Sequence, residues 1–304
     1  MTDSALNRFE RLSAQPFSAP AGKAGIVGTW GSLKAVFDHR ELLNLLVRRD
    51  IKARYKDSAL GVLWTLINPI VQLVVYYVVM GQILGAARGI DDFAIYVFSG
   101  LTIFGLLSEA LTGTTGSIIA NAGLVKKVYV PREVFPLASI GSALFTFSVQ
   151  VVVLLVACFL LAAPPSLSGL VYAVPAVALI VLYGAAMGIL FSALNVYLRD
   201  VQYLVGILLT LSLWAAPIVY GWSMVQDVFE QFHLPSWMLE VYTNNPLTLA
   251  VLGFHRAFWA AGTDADYPAT LGLRMLVAFA IGVVILWICQ RVLARLQVNF
   301  AQEL

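Results

Sequence analysis

"RRDIKARYKDSALGVLWTLINP", residues 48–69, places Arg48, Arg49, Lys52, Arg54 and Lys56 within nine positions and then turns apolar at Leu60. Read as a helix, residues 41–56 set Leu43, Val47, Ile51 and Tyr55 on one row, with Leu42 and Leu46 beside it. Arg48, Lys52 and Lys56 form a second row flanked by Arg49. An apolar stripe opposite a basic one suits a helix lying flat in the lipid headgroup layer. Two readings follow. The stretch is a generic anchor before a membrane span, or an interface helix that also presents a surface to a protein on the same side.

The rest of the chain supports a membrane setting. Of 304 residues, 60% are hydrophobic and only 12% charged, whereas soluble domains carry about a quarter charged residues. Stretches at about 60–84, 137–163, 170–194, 201–221 and 270–290 reach the roughly 20 apolar residues that a bilayer-crossing helix needs. A sixth, about 93–119, contains Glu109 and small polar residues. Period-two alternation is missing, so helices rather than barrel strands are expected. The fold class predicted is an all-α integral membrane protein with six transmembrane helices. Residues 1–37 read as a tail, partly disordered and without the apolar core of a cleavable signal. Residues 38–58 form the amphipathic interface helix and 59–304 the transmembrane domain. Cys158 and Cys289 fall near opposite ends of their spans and are expected to be unpaired.

Charge then orients the chain. Six spans put both termini on one side. If that side is the cytoplasm, all of the 19 Lys and Arg except Arg88, Arg256 and Arg274 lie in inner segments. Lysine and arginine near spans stay inside, so both termini are expected to be cytoplasmic.

The loop joining spans two and three, "NAGLVKKVYVPREVFPLAS" (121–139), is short, basic and braced by Pro131 and Pro136. Apolar Val128, Tyr129 and Val130 stand between its charges. A plain connector has no need of exposed apolar residues there, whereas a short helix that plugs into a partner has.

At this point the chain resembles a family. "LLVRRDIKARYKDSALGVLWTLINPIVQLVVYYVVMG" (45–81) followed by "LVKKVYVPREVFPL" (124–137) is similar to the permease subunit of bacterial type-2 ABC exporters for polysaccharides. These export O-antigen, teichoic acid, capsule or galactan chains. "NVYLRDVQYLVGILLTLSLWAAPIVY" (195–220) and "NPLTLAVLGFHRAFW" (245–259) fit the same family, and the likeness runs from about residue 38 onward. It implies an ATPase-coupling element over Leu124–Pro136, with Leu124, Lys126, Lys127, Val128, Tyr129, Pro131, Arg132 and Glu133 as its residues. It implies an interface helix carrying Arg48, Arg49, Lys52, Arg54, Tyr55 and Lys56, and re-entrant outer helices within 222–268. It also implies a homodimer, two copies of a cytoplasmic ABC ATPase subunit and a lipid-linked polysaccharide substrate in the bacterial cytoplasmic membrane.

Parts of this logic stand on the residues alone. No Gly-x-x-x-x-Gly-Lys-Ser/Thr phosphate loop is present, since Gly22-Lys23 is followed by alanine. ATP and Mg are therefore expected in a partner subunit and no cofactor in this chain. Six spans make a thin bundle for a wide substrate, and a twofold dimer would give twelve.

Trp64, Tyr76, Tyr77, Trp214 and Tyr220 are candidates for a substrate path, because aromatic faces stack on sugar rings. Aromatics also concentrate at both bilayer interfaces without any substrate. Glu109 is the one ionisable residue deep in a span, and it is either functional or a polar clasp between helices. Gly184-x-x-x-Gly188 suits close helix packing. His233 and His255 stand apart, without the neighbours of a metal site. Asp91-Asp92 leaves room for a membrane glycosyltransferase acting on lipid-linked sugars. A channel or secondary transporter, and a type-2 permease for a drug or smaller lipid, are the other readings.

Overall fold

The computed structural model describes residues 31, 34–56, 63–83, 85, 90–127 and 130–304. Of the tail expected over residues 1–37, residues 34–37 are helical, whereas residues 1–30, 32 and 33 lie outside the described residues, as do Val128 and Tyr129. So do the side chains of Tyr55 and Lys127. Among the described residues the chain is helical throughout, without strands.

Residues 34–38 are helical and lead into α1 (Arg40–Tyr55), which is followed by α2 (Leu63–Val75) with Pro69 inside it. A π-helical segment, Tyr76–Ile83, continues α2. Then come α3 (Phe93–Ala120), the short α4 (Ala122–Lys127), α5 (Val134–Leu160), the single turn α6 (Leu167–Leu170) and α7 (Ala173–Tyr197). After α8 (Val201–Ala215) come α9 (Trp222–Gln231), α10 (Ser236–Thr243) and α11 (Pro246–Phe258). The chain ends with α12 (Leu271–Leu296) and the turn α13 (Phe300–Glu303).

Among the described residues, four stretches are long and apolar enough to cross a membrane: Phe93–Ala120, Val134–Leu160, Leu167–Tyr197 and Asp264–Asn299. The 28 residues of α3 rise about 42 Å, more than a hydrocarbon core of roughly 30 Å. Pro69–Ile83 and Val201–Ala215 are shorter apolar helices. The second of these corrects an expectation. The apolar run 201–221 does not form one helix: Ala216 is extended and precedes Pro217, so the helix stops at Ala215. A residue before proline is pushed out of the α region, and the proline has no N–H to donate.

The outward faces of α5 and α12 carry Val152, Val156, Phe159, Leu273, Leu276, Val277 and Val284, all largely exposed. Aliphatic surface this extensive belongs in hydrocarbon. Without a hydrophobic drive between helices in lipid, close packing has to hold them, and small residues permit it. A Cβ on Gly184 would meet the Ala110 Cβ at 3.5 Å, and one on Gly188 would meet the Thr114 Cβ at 2.8 Å. The Gly184-x-x-x-Gly188 pair therefore seats α7 on α3. Gly113 does the same between α3 and Ser139 of α5. Helix α3 is the central element, buried along most of its length.

Helix α11 wedges into the end at which α3 begins. Asn245 caps it by accepting from the Leu247 N–H at 3.0 Å, and Pro246 fills the first turn, where no N–H is needed. Eleven of its thirteen residues are buried against α3, α7 and α12. Around it, polar side chains tie down the connecting backbone. The Trp259 indole donates to the Asp91 carbonyl at 2.6 Å, and the Tyr96 hydroxyl donates to the carbonyls of Tyr220 (2.8 Å) and Pro217 (3.1 Å). The Trp222 indole donates to Thr243 at 3.0 Å. Asp91 and Asp92 are exposed and open α3, where negative charge favours the helix N-terminus.

Arg274 fastens α10 to the start of α12. Its guanidinium donates to both Glu240 carboxylate oxygens (2.5 and 3.1 Å) and to the Asn244 side-chain oxygen (3.0 Å). This hydrogen bonding holds the Glu240 carboxyl below its usual value. A carboxylate depressed on folding stabilises the fold above its unfolded value and loses that contribution as pH falls through the folded one. Because Glu240 is mostly exposed, the effect is small. Glu240→Gln is expected to lower the melting temperature slightly at pH 7 and progressively less as pH falls below the unfolded carboxyl value, which melts across an acidic pH series check.

Cys158 and Cys289 are both buried and unpaired. Arg199 and Asp200, adjacent at the start of α8, form no ion pair with each other in the structure.

Candidate functional site

At the end of the bundle opposite α11, α1 crosses α5. The crossing point is Gly141, where a Cβ would stand 2.7 Å from a Val47 methyl. Leu46 is buried, and Leu42, Leu43 and Val47 pack beside it. They join a second apolar cluster with Ile118, Val125, Val130, Val134, Phe135, Leu293 and Phe300. The apolar stripe of α1 is thus seated on the protein, while Arg48, Arg49, Lys52 and Lys56 are exposed.

Helix α4 follows α3 after a break at Asn121. Val125 is buried in the same cluster and fixes the helix, leaving Leu124 and Lys126 exposed. Pro131 and Arg132 are half-buried, with the Arg132 guanidinium donating to the Val130 carbonyl at 3.2 Å, and Glu133 is buried. Arg49 joins α1 to this region: it donates to the Asn121 side-chain oxygen at 2.8 Å and pairs with Asp50 at 2.7 Å. Asn121 in turn donates to the Ser117 carbonyl in the last turn of α3 at 2.8 Å. The result is one basic face with an apolar knob, Leu124, standing on a rigid base.

A cleft of about 570 Å³, apolar over more than half of its lining but carrying a set of polar groups, opens between α2 with its π-helical continuation, α3, α5 and α8. It follows α3 from Phe98 to Gly113, about 22 Å along the helix. Its polar lining comes from Gln72, Thr102, Ser108, Glu109, Thr112 and Gln150, and Tyr76, Phe98 and Phe104 are its aromatic residues. Arg54 enters from α1. Its guanidinium pairs with the Glu109 carboxylate and donates to the Thr146 hydroxyl at 2.8 Å. The Thr146 hydroxyl in turn donates to Glu109 at 3.1 Å. Hydroxyls, primary amides and a compensated ion pair beside a tyrosine can hydrogen-bond a hydroxyl-rich molecule without presenting a net charge.

This geometry sorts the residues chosen from sequence. Glu109 has an ionic partner, and the partner is a residue of the basic stretch. Of the aromatic candidates, Tyr76 lines the cleft, whereas Trp64, Tyr77 and Trp214 are exposed on outward faces. Tyr220 sits at the far end of the bundle and donates to the Trp214 carbonyl at 2.8 Å. The amides Gln72 and Gln150 and the hydroxyls Thr102 and Thr146 escaped the sequence reading. The available signal was a glutamine inside an otherwise apolar span, where an amide needs a reason to be. His255 is fully buried and stacked on Tyr96 with ring centroids 3.8 Å apart, a packing role. Among the described residues, no group of three His, Cys, Asp or Glu side chains is placed to hold a metal ion.

A bundle of apolar helices with a basic end, a short exposed helix there and a cleft carrying polar groups within the spans is the layout of a membrane permease. Residues 41–259 match the family described as ABC-2 type transporter, and the chain belongs to that family. It is 28% identical over 258 residues to an O-antigen export system permease protein RfbA of Klebsiella pneumoniae, covering 84% of this chain and 95% of the relative. A second Klebsiella pneumoniae protein of that name is 28% identical over 243 residues, covering 80% and 89%. The Myxococcus xanthus protein of the same name is 28% identical over 273 residues, covering 90% and 98%. The chain is therefore a multi-pass membrane subunit of the ABC-2 class, homologous to polysaccharide export permeases.

Proposed function

We propose that this protein is the membrane-spanning subunit of an ATP-driven exporter that moves a lipid-linked polysaccharide across the bacterial cytoplasmic membrane. The observation that carries the reading is the cleft with hydroxyl, amide and charge-compensated ionic groups in its wall, inside a chain whose relatives bear the name of O-antigen export permeases. A sugar polymer passing through lipid has to exchange its hydrogen bonds with water for others of similar strength. Gln72, Gln150, Thr102, Ser108 and Thr112 supply donors and acceptors of that kind, and Tyr76 a stacking face.

In this reading the basic end faces the cytoplasm with both termini, as the distribution of lysine and arginine favours. Helices α2 with its π-helical continuation, α3, α5, α7, α8 and α12 are the six spans, and α9–α11 are the re-entrant outer segment. Two copies of the chain form the channel, with the cleft and the exposed apolar face of α8 toward the twofold axis. Tyr203, Leu204, Ile207 and Leu211 supply that face. The separate ATPase docks on α4, with Leu124 as the apolar plug and Lys126, Lys127 and Arg132 around it. ATP and Mg belong to that subunit.

Co-purification from membranes with the ATPase encoded beside the gene tests the assignment. The wild-type chain should retain it and raise its hydrolysis rate on assembly. Lys126→Glu, Lys127→Glu and Arg132→Glu combined should lose it while the chain still assembles with itself. Absence of any bound ATPase with the wild-type chain would remove the exporter reading.

A further inference from the structure

The basic stretch before the first span holds a residue that leaves its row. Arg48, Lys52 and Lys56 face outward, whereas Arg54 turns into the cleft and meets Glu109 and Thr146. Three elements, α1, α3 and α5, are thereby joined at one point. The pair is partly solvated, with 42% of the Arg54 side chain and 26% of the Glu109 side chain exposed, so it is not sealed in a core. It stands one turn from Gly113, the end of the cleft nearer α4. The rest of the lining, from Phe98 to Ser108, lies beyond it.

Five residues earlier on the same helix, Arg49 holds Asn121, the residue between α3 and α4. Five residues of α-helix span about 7.5 Å. Helix α1 is thus pinned at Asn121 by one arginine and at the cleft wall by the other, and it rests on Gly141 through Val47. It therefore links the α3–α4 junction to the cleft wall by a route separate from α3 itself.

We propose that the Arg54–Glu109–Thr146 cluster is a latch by which α1 closes the α4 end of the cleft, and that Arg54 is a positioning residue for transport. The latch is a discrete two-state contact of the kind that carries coupling between sites. When α1 shifts, the guanidinium leaves Glu109 and the cleft opens toward that end. When α1 returns, the pair reforms. The part of this proposal that concerns transport rests on the exporter reading above; the closure itself does not.

The test therefore has two readouts. In a Cys158→Ala/Cys289→Ala background, Gly105→Cys places a thiol in the cleft one turn beyond the latch, opposite Gln150. Its labelling by a charged thiol reagent, added from the α4 side of membrane vesicles, is compared for the intact latch, Glu109→Gln, Arg54→Gln and the exchange R54E/E109R. Labelling at least fivefold faster in the two single variants, and slow again in the exchange, is the expected result. Unchanged labelling in the single variants, or no recovery in the exchange, overturns the latch. Export is measured beside ATPase binding in the same variants. Glu109→Gln and Arg54→Gln should retain the bound ATPase and its hydrolysis while export drops tenfold or more, and the exchange should recover at least a third. If the single variants export at the wild-type rate, the positioning role fails. If the wild-type chain binds no ATPase but labelling still follows the latch, the exporter reading fails and the closure stands.

Discussion

Replacing Gly188 by leucine is expected to abolish accumulation of folded protein, and replacing it by alanine to lower the unfolding midpoint clearly. The reason is local. An alanine Cβ there would lie 2.3 Å from the Thr114 Oγ1, 2.8 Å from its Cβ and 3.0 Å from its Cγ2. The Cβ of Thr114 is one bond from the backbone, so rotation of that side chain cannot remove the clash. The two helices have to separate. In a well-packed core this overpacking costs about 1–3 kcal/mol for small additions, and α3 is the element on which most of the bundle rests. The check is a thermal series on detergent-purified protein, with Thr114→Gly combined with Gly188→Ala as the compensating variant. The double variant should recover part of the loss, less the roughly 1 kcal/mol that a glycine costs within a helix. A Gly188→Ala chain melting at the wild-type midpoint would show that α7 is not held by this contact.

The second large effect concerns export rather than folding. Ser108→Trp is expected to reduce surface polysaccharide at least tenfold without changing the amount of protein in the membrane. Ser108 lines the cleft beside Glu109, and an indole there has open space to occupy rather than a neighbour to displace. It fills the passage between Tyr76 and Gln150 while leaving the glycine contacts of α3 alone. Val156→Trp is the companion variant: it adds the same ring to the exposed outer face of α5 and should export normally. Polysaccharide is quantified in a strain lacking the chromosomal copy and complemented by each variant. Normal export by Ser108→Trp would move the path away from this cleft.

Much of the architecture could be read from residue order. The four longest spans fall where apolar length demands them, and α1 and α4 fall where the amphipathic row and the short basic loop place them. The start of α11 is written in Asn245-Pro246. Length alone misjudged the run after Arg199, because Pro217 ends a helix that hydropathy would continue. The site was less legible. Arg54 and Glu109 are 55 positions apart, and their meeting depends on where α1 crosses α5. That crossing is set by a single absent side chain, at Gly141. Two clues were available locally: Arg54 falls off the row of Arg48, Lys52 and Lys56, and a carboxylate in a span calls for a counter-charge. The aromatic residues were ambiguous for a physical reason. Trp64, Tyr77 and Trp214 suit lipid-facing surfaces as well as sugar, whereas Gln72 and Gln150 have no such alternative use in hydrocarbon.

The seating of α1 on Gly141 also sets a schedule for synthesis. Val47 leaves the ribosome 94 residues before the glycine it packs against (141 minus 47). At about 5–20 residues per second, the helix waits roughly 5–20 s for its partner. Until Ile118 and Val125 follow, about 70 residues behind, its apolar row has none of those partners to cover it, and the membrane surface is the nearest shelter. The basic row then serves the newborn chain by keeping α1 at the headgroups, on the correct side and within reach. The same residues that suggest a lipid-bound helix thus describe a transient stage. When α5 arrives, it takes that row from the lipid, and the charges are left facing outward.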